Sequence, residues 1–256
     1  MPFQYVSVEE AIAREGLRMM VVGGVPSPWG EAAKGILHIK RIEWVAVRLA
    51  YDSEPLKQWA GQRSGPVAVY DREAPLGGWR EILLLAERLA PEPRLLPEDA
   101  VTRELVLSLS REICGEGGLA WTCRLQLINA GLNGSGGFPA RVASYLARKY
   151  GHSVEAGAAA GARVVALLGS LASRLKAQQE AGSPYFVSEA LTAVDVYAAA
   201  TMAMFRPLRQ DVCAMDVATR AALETLDGPT AAALDPLLFS HRDMMYARHL
   251  ELPLSL

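Results

Sequence analysis

Cysteine is scarce in this chain, and its spacing excludes as much as its number does. Cys114, Cys123 and Cys213 show neither CxxC nor metal-ligand spacing. An odd, sparse set builds no disulfide framework and points to a reducing compartment, so the expected location is the cytoplasm. Histidine is nearly as rare, and His38, His152, His241 and His249 show no ligand pattern, so no metal is expected. Neither sign of charge dominates: 26 basic and 28 acidic residues leave a formal net charge of −2. With no basic run and no arginine-rich face, nucleic acid is not the expected partner. Met1 to Gly16 carries Glu9, Glu10, Arg14 and Glu15 and lacks an apolar signal core. The most apolar stretch, Val154 to Ala172, is broken by Glu155 and Arg163 and is rich in Gly and Ala, which reads as a buried helix and not a membrane span. Gly23-Gly24 lacks the spacing of a dinucleotide fingerprint, and Gly134 to Gly137 reads as a loop.

What is present is enough apolar material for a core. About half of the 256 residues are apolar (51%) and a fifth charged (21%), the balance of a globular protein of one large or two ordinary domains. The first ninety residues alternate in character. Ser7 with Glu10 has capping-box spacing ahead of a helical stretch, Val8 to Glu15. Leu17 to Val22 reads as a buried strand ending at Gly23-Gly24, and Glu31 to Ile39 as a helix with Ala32, Ala33, Ile36 and Leu37 on one face. Valine-rich Trp44 to Leu49 is a second strand, Glu54 to Ala60 a short helix, and Val67 to Tyr70 a third strand. A turn at Asp71 to Ala74, room for a short strand, and a helix ending near Leu89 complete a mixed sheet with helices on both faces.

Pro91, Pro93 and Pro97 punctuate a polar linker, and no convincing strand comes after it. Helical composition or periodicity marks Thr102 to Ile113, Trp121 to Ala130, Ala140 to Tyr150, Glu155 to Glu180, Thr219 to Thr225 and Asp235 to Leu250. The best-marked helix start is Thr192, with Asp195 three residues on and Leu191 and Val196 at the spacing of a hydrophobic staple. The expected organisation is an α/β domain over residues 1–90, a linker at 91–101 and an all-helical bundle over 102–256.

In order and spacing, these segments resemble the cytosolic glutathione transferase superfamily: a thioredoxin-like domain followed by an all-α domain. Three local features carry the resemblance. Ser27-Pro28-Trp29, between a strand and its helix, is similar to the turn that holds the catalytic Ser or Cys. Gly65-Pro66-Val67 resembles the segment where a cis-proline opens the third strand, and Leu191 to Asp195 the capping box and staple of the family's sixth helix. The family's Glu-Ser pair, which holds the γ-glutamyl end of glutathione, falls here on Gly77-Gly78 or Gly78-Trp79. Neither alignment leaves a Glu carboxylate or Ser hydroxyl there, although helix amides can bind a carboxylate and glycine permits close approach.

The resemblance implies glutathione as co-substrate, a small hydrophobic electrophile as acceptor, and a homodimer. It implies Ser27 as the catalytic group, a hydroxyl that stabilises the glutathione thiolate without being a nucleophile; the bland alternative is that Ser27 only caps its helix. Lowering a thiol pKa by about two units from about 8.5 takes about 2.7 kcal/mol, within reach of a hydrogen bond plus a helix N-terminus. Glutathione contacts fall on Pro28, Trp29, Gln62, Arg63, Gly65, Pro66, Gly78 and Trp79. Trp79 can shape the γ-glutamyl pocket or simply pack on the core, and Gln62 and Arg63 can meet the glycyl carboxylate or water. Trp121, Arg124, Met202 and Phe205 are acceptor-cleft candidates, each also readable as helical core. The alternative reading is a non-catalytic ligand-binding or stress-related protein on the same fold. Thiol-disulfide exchange is disfavoured, because Ser27 and Gly30 stand where two cysteines would be needed.

Overall fold

The computed structural model describes residues 4–256; Met1, Pro2 and Phe3, the start of the stretch read above for a signal core, lie outside the described residues. The α/β half runs β1 (Tyr5–Val6), α1 (Val8–Ala13), β2 (Leu17–Val21), α2 (Pro28–Ile39), β3 (Trp44–Arg48), α3 (Glu54–Ala60), β4 (Val67–Tyr70), β5 (Leu76–Gly77) and α4 (Trp79–Leu89). The strands form one sheet in the order β1-β3-β2-β4-β5. β1, β3 and β2 are parallel, whereas β4 and β5 join antiparallel.

All of β2 is buried, because side chains alternate between the faces of a strand and helices cover both. Leu17, Met19 and Val21 point to the side packed by Ala32, Ile36 and Ile82 of α2 and α4. Met20 points to the opposite side, where Val47 and Val67 meet Ala11, Leu56 and Ala60 of α1 and α3. The capping box of Ser7 and Glu10 closes the start of α1, as its spacing predicts. β1 has no sequence signal: at two residues it is too short to show alternation.

The helical half comprises α5 (Ala100–Cys114), α6 (Leu119–Leu132), α7 (Ala140–Tyr150), α8 (Val154–Glu180), α9 (Ala193–Met202), α10 (Val217–Glu224), α11 (Gly228–Ala233) and α12 (Pro236–Arg248). α9 is its axis, with every residue buried. Asp195 fastens three segments there: Oδ2 accepts from the amide and hydroxyl of Thr192 (both 2.9 Å), and Oδ1 lies 2.9 Å from the Phe186 amide and 3.0 Å from His241 Nε2 of α12. α8 departs from the expectation of a buried helix. It buries one stripe, Ala160, Val164, Leu167, Leu168, Leu171 and Leu175, while Val154 at its start stays exposed. Its length and composition alone would let it cross a membrane, but here Val164, Leu167, Leu168, Leu171 and Leu175 of that stripe are part of the shared core.

The two halves are fastened across the segment between α4 and α5. Leu95 and Leu96 are fully buried, and the Leu95 carbonyl accepts from the amide of Ala193 at 2.9 Å. Lys40, buried at the end of α2, donates to the carbonyls of Ala90 (2.7 Å) and Pro93 (2.9 Å) and pairs with Glu87 (2.8 Å). These bonds hold the α/β half against the helices, and the cleft between them is where the candidate site lies.

Candidate functional site

Two adjoining cavities open between the halves, of about 580 Å³ and about 750 Å³. They share the walls formed by Trp29, Gly65, Tyr145, Lys149 and Tyr150. The smaller runs along Gln62 to Pro66 and Gly77 to Trp79. The larger opens in front of Ser27, between the β2–α2 loop and helices α6, α7 and α10.

Ser27 is the N-cap of α2, and its side chain makes no capping bond. Its amide is satisfied by the carbonyl of Val25 (2.9 Å) and its carbonyl by the amide of Glu31 (2.7 Å), so the hydroxyl is left to the cavity it lines. Pro28 comes next, at the first helical position, where a missing N–H costs nothing. Trp29 spans the two halves: its indole N–H donates to the Cys114 carbonyl at the end of α5, 2.7 Å away. A Cβ at position 30 would lie 3.6 Å from the Ser27 Cβ. That is the Cβ spacing of a disulfide, with neither sulfur present.

The Gly65–Pro66 peptide bond is cis and sits directly before β4. A Cβ at residue 65 would lie 3.2 Å from the Met20 carbonyl oxygen, so glycine lets this backbone approach β2. At the far end of the smaller cavity Gly78 is the N-cap of α4 with φ +113°, a conformation open to glycine. The space that side chains at 77 and 78 would take is filled from elsewhere. A Cβ at 77 would meet Gln62 Nε2 at 2.6 Å, and one at 78 would meet Glu81 Oε2 at 2.5 Å. The Gln62 amide and the Glu81 carboxylate thus crowd the two glycines, and no sequence motif marks Glu81 for this place. Trp79 lines this cavity while packing edge-on against Tyr197, whose hydroxyl donates to the Trp79 carbonyl at 2.8 Å.

Arg63 lines the smaller cavity but is bonded to Glu54 and to the Tyr51 carbonyl, which ties it to α3 and the loop before it. Gln62 donates to the Ser64 carbonyl at 2.7 Å. Of the acceptor-cleft candidates, Trp121 lines the smaller cavity and Arg124 the larger. Met202 and Phe205 are a correction: both are buried in the core at 2% exposure and line neither cavity, because α9 and the turn after it are enclosed on every side. In their place stand residues no motif marks. Tyr51 and Tyr145 meet edge-on at 5.4 Å, and the Lys149 ammonium lies 5.7 Å from the rings of both Tyr51 and Tyr150. Burial, with help from neighbouring phenols, raises the Tyr51 pKa, and burial raises that of Tyr150.

All three cysteines are buried and free. Desolvation pushes the Cys123 thiol up to about 12 and Cys213 to about 11, and raises Cys114 further still, so none is a thiolate near neutral pH. Among the described residues no three His, Cys, Asp or Glu side chains cluster as a metal site would require.

No protein-family model and no curated protein matches this chain. Solved structures do. A glutathione transferase family member from Pseudomonas fluorescens Pf-5, with two glutathione bound, is 13% identical, with a TM-score of 0.63 and 94% of each chain covered. A glutathione S-transferase from Methylobacillus flagellatus KT, with glutathione bound, is 14% identical at a TM-score of 0.63, covering 91% of this chain and 96% of the other. A β-etherase from Sphingobium is 14% identical at a TM-score of 0.57, covering 89% and 99%. By architecture, this chain has the glutathione transferase fold: a thioredoxin-like domain followed by a helical one.

Proposed function

We propose that this protein is a glutathione-dependent transferase or lyase in which Ser27 stabilises the glutathione thiolate for attack on a hydrophobic electrophile. The observation that carries this reading is the uncommitted Ser27 hydroxyl, at a helix N-terminus and on the wall of the interdomain cavity. A hydroxyl donor and the positive end of α2 both favour the charged form of a bound thiol. In this reading the tripeptide lies along the smaller cavity. Gly65, before cis-Pro66, pairs with its cysteinyl backbone in the manner of an added strand. The first amides of α4 receive the γ-glutamyl carboxylate. The electrophile enters the larger cavity, in front of Ser27.

A hydrogen bond to a charged group contributes about 1.5–3 kcal/mol. Ser27→Ala is therefore expected to lower the second-order rate of glutathione conjugation by about ten- to a hundredfold. An unchanged rate, with no retention on immobilised glutathione, would remove the proposal. The same reading makes the protein a cytoplasmic homodimer, which light scattering of the purified chain checks; a monomer would contradict it.

A second reading, a non-catalytic binding protein on the same fold, is favoured by one feature. Arg63 is engaged by Glu54, so a cation expected for the glycyl carboxylate is already neutralised. Calorimetric titration with glutathione separates the two. Tight binding together with a Ser27-dependent rate argues for the enzyme, and no glutathione binding argues for the second reading.

A further inference from the structure

The larger cavity is otherwise an apolar and aromatic space, yet three cations line it: Arg124 from α6 and Arg141 and Lys149 from α7. Among the described residues no carboxylate stands within ion-pair distance of any of the three. Asp216 is the one acid on the same wall, and its Oδ1 accepts the Thr219 amide at 2.9 Å as the cap of α10. Arg124 and Lys149 are held by ring faces instead. The Arg124 guanidinium lies 5.5 Å from the Phe138 ring centroid, and the Lys149 ammonium lies 5.7 Å from those of Tyr51 and Tyr150. Arg124 Nε is buried without any hydrogen-bond partner.

Like charges gathered on one cavity wall without a carboxylate partner are costly. Arginine presents a planar fork of donors suited to a carboxylate or sulfonate, and here one of those donors is buried with no protein acceptor. Lys149 has its pKa lowered by desolvation first and by the charge of Arg124 second, so the two like charges feel each other across the cavity. An anion placed between them offsets the like-charge repulsion, and the rings around it supply an apolar bed for the rest of the molecule.

We infer that the acceptor substrate is an anionic aromatic or hydrophobic compound, whose carboxylate or sulfonate is held by Arg124 and Lys149 in the larger cavity. The inference rests on the transferase reading for the word acceptor, while the binding it requires does not depend on glutathione.

The test uses the full chain and two ligands of nearly one shape, 1-naphthoate and the neutral 1-naphthamide, titrated by calorimetry with and without saturating glutathione. Naphthoate is expected to bind about ten- to a hundredfold more tightly than the amide, the range of a charge-assisted hydrogen bond. Arg124→Met and Lys149→Met should each reduce that preference and leave naphthamide binding unchanged. Thermal unfolding identifies any variant that fails to fold, and the other variant then decides. Equal affinities for the two ligands, or a preference that survives in the double variant, would overturn the inference. Naphthoate binding that persists under saturating glutathione supports an anion site in the acceptor cavity. Complete competition by glutathione would assign the cations to the tripeptide's own carboxylate, which also overturns it. If glutathione does not bind at all, the transferase reading fails, and the naphthoate preference still decides the anion site.

Discussion

α2 and α9 both start at a hydroxyl-bearing N-cap, and the third helical residue sets them apart. In α9, capped by Thr192, that residue is Asp195, whose carboxylate bonds back to Thr192, to the Phe186 amide and to His241, all out of water. In α2, capped by Ser27, it is Gly30, and the Ser27 amide is met by the Val25 carbonyl instead. No acid stands at that position, and Ser27 keeps its place on the cavity wall without a side-chain capping bond. Similar local chemistry thus serves stability at one helix start and leaves a site open at the other. A helix start that commits its polar groups to the fold has none left for a ligand.

The contrast can be broken from either side. Asp195→Ala leaves buried amides and a hydroxyl without partners, and is expected to cost about 3–5 kcal/mol in chemical denaturation. A loss below about 1 kcal/mol would mean that the network is not what holds α9. Gly30→Asp gives α2 the acid that α9 has. The added carboxylate would sit beside Ser27 and raise the pKa of a thiol bound there. Conjugation should fall by about tenfold, with the melting temperature little changed, and an unaltered rate would separate Ser27 from the chemistry. The smallest effect concerns Glu31, the acid α2 does carry. It is buried and pairs with Lys34 at 2.5 Å; desolvation raises its pKa more than Lys34 lowers it. A raised folded-state pKa contributes stability that is complete below the unfolded value and lost as pH rises through the folded one. The stability of Glu31→Gln relative to the unmutated chain should therefore improve as pH is raised through the carboxylate range. A relative decline over that range would contradict the raised pKa.

Much of this is legible in the sequence because it is local. The Ser7–Glu10 and Thr192–Asp195 pairs state their own spacing, and runs such as Val67 to Tyr70 sit between turn residues. The same locality brings Ser27, Gly65, Pro66 and Gly78 onto cavity walls from short motifs. The features hidden from the sequence depend on distant segments meeting. Tyr51 lies just after β3 while Tyr145 and Lys149 belong to α7, and only the closing of the two halves makes them one wall. Glu81 reads as an ordinary acid in the first turn of a helix until its carboxylate is seen over Gly78. Met202 and Phe205 are misplaced by sequence reasoning for the opposite reason. A helix apolar on all sides has no preferred face, so periodicity cannot tell its core positions from a cleft.

Ser27 as a thiolate stabiliser is most directly tested by titrating the thiol of bound glutathione through its ultraviolet thiolate absorbance, in the unmutated protein and in Ser27→Ala. The expected result is a bound thiol about two pKa units below the reference of about 8.5, returning most of the way in the variant while denaturation shows stability within about 0.5 kcal/mol. The same thiol pKa in both proteins would contradict it.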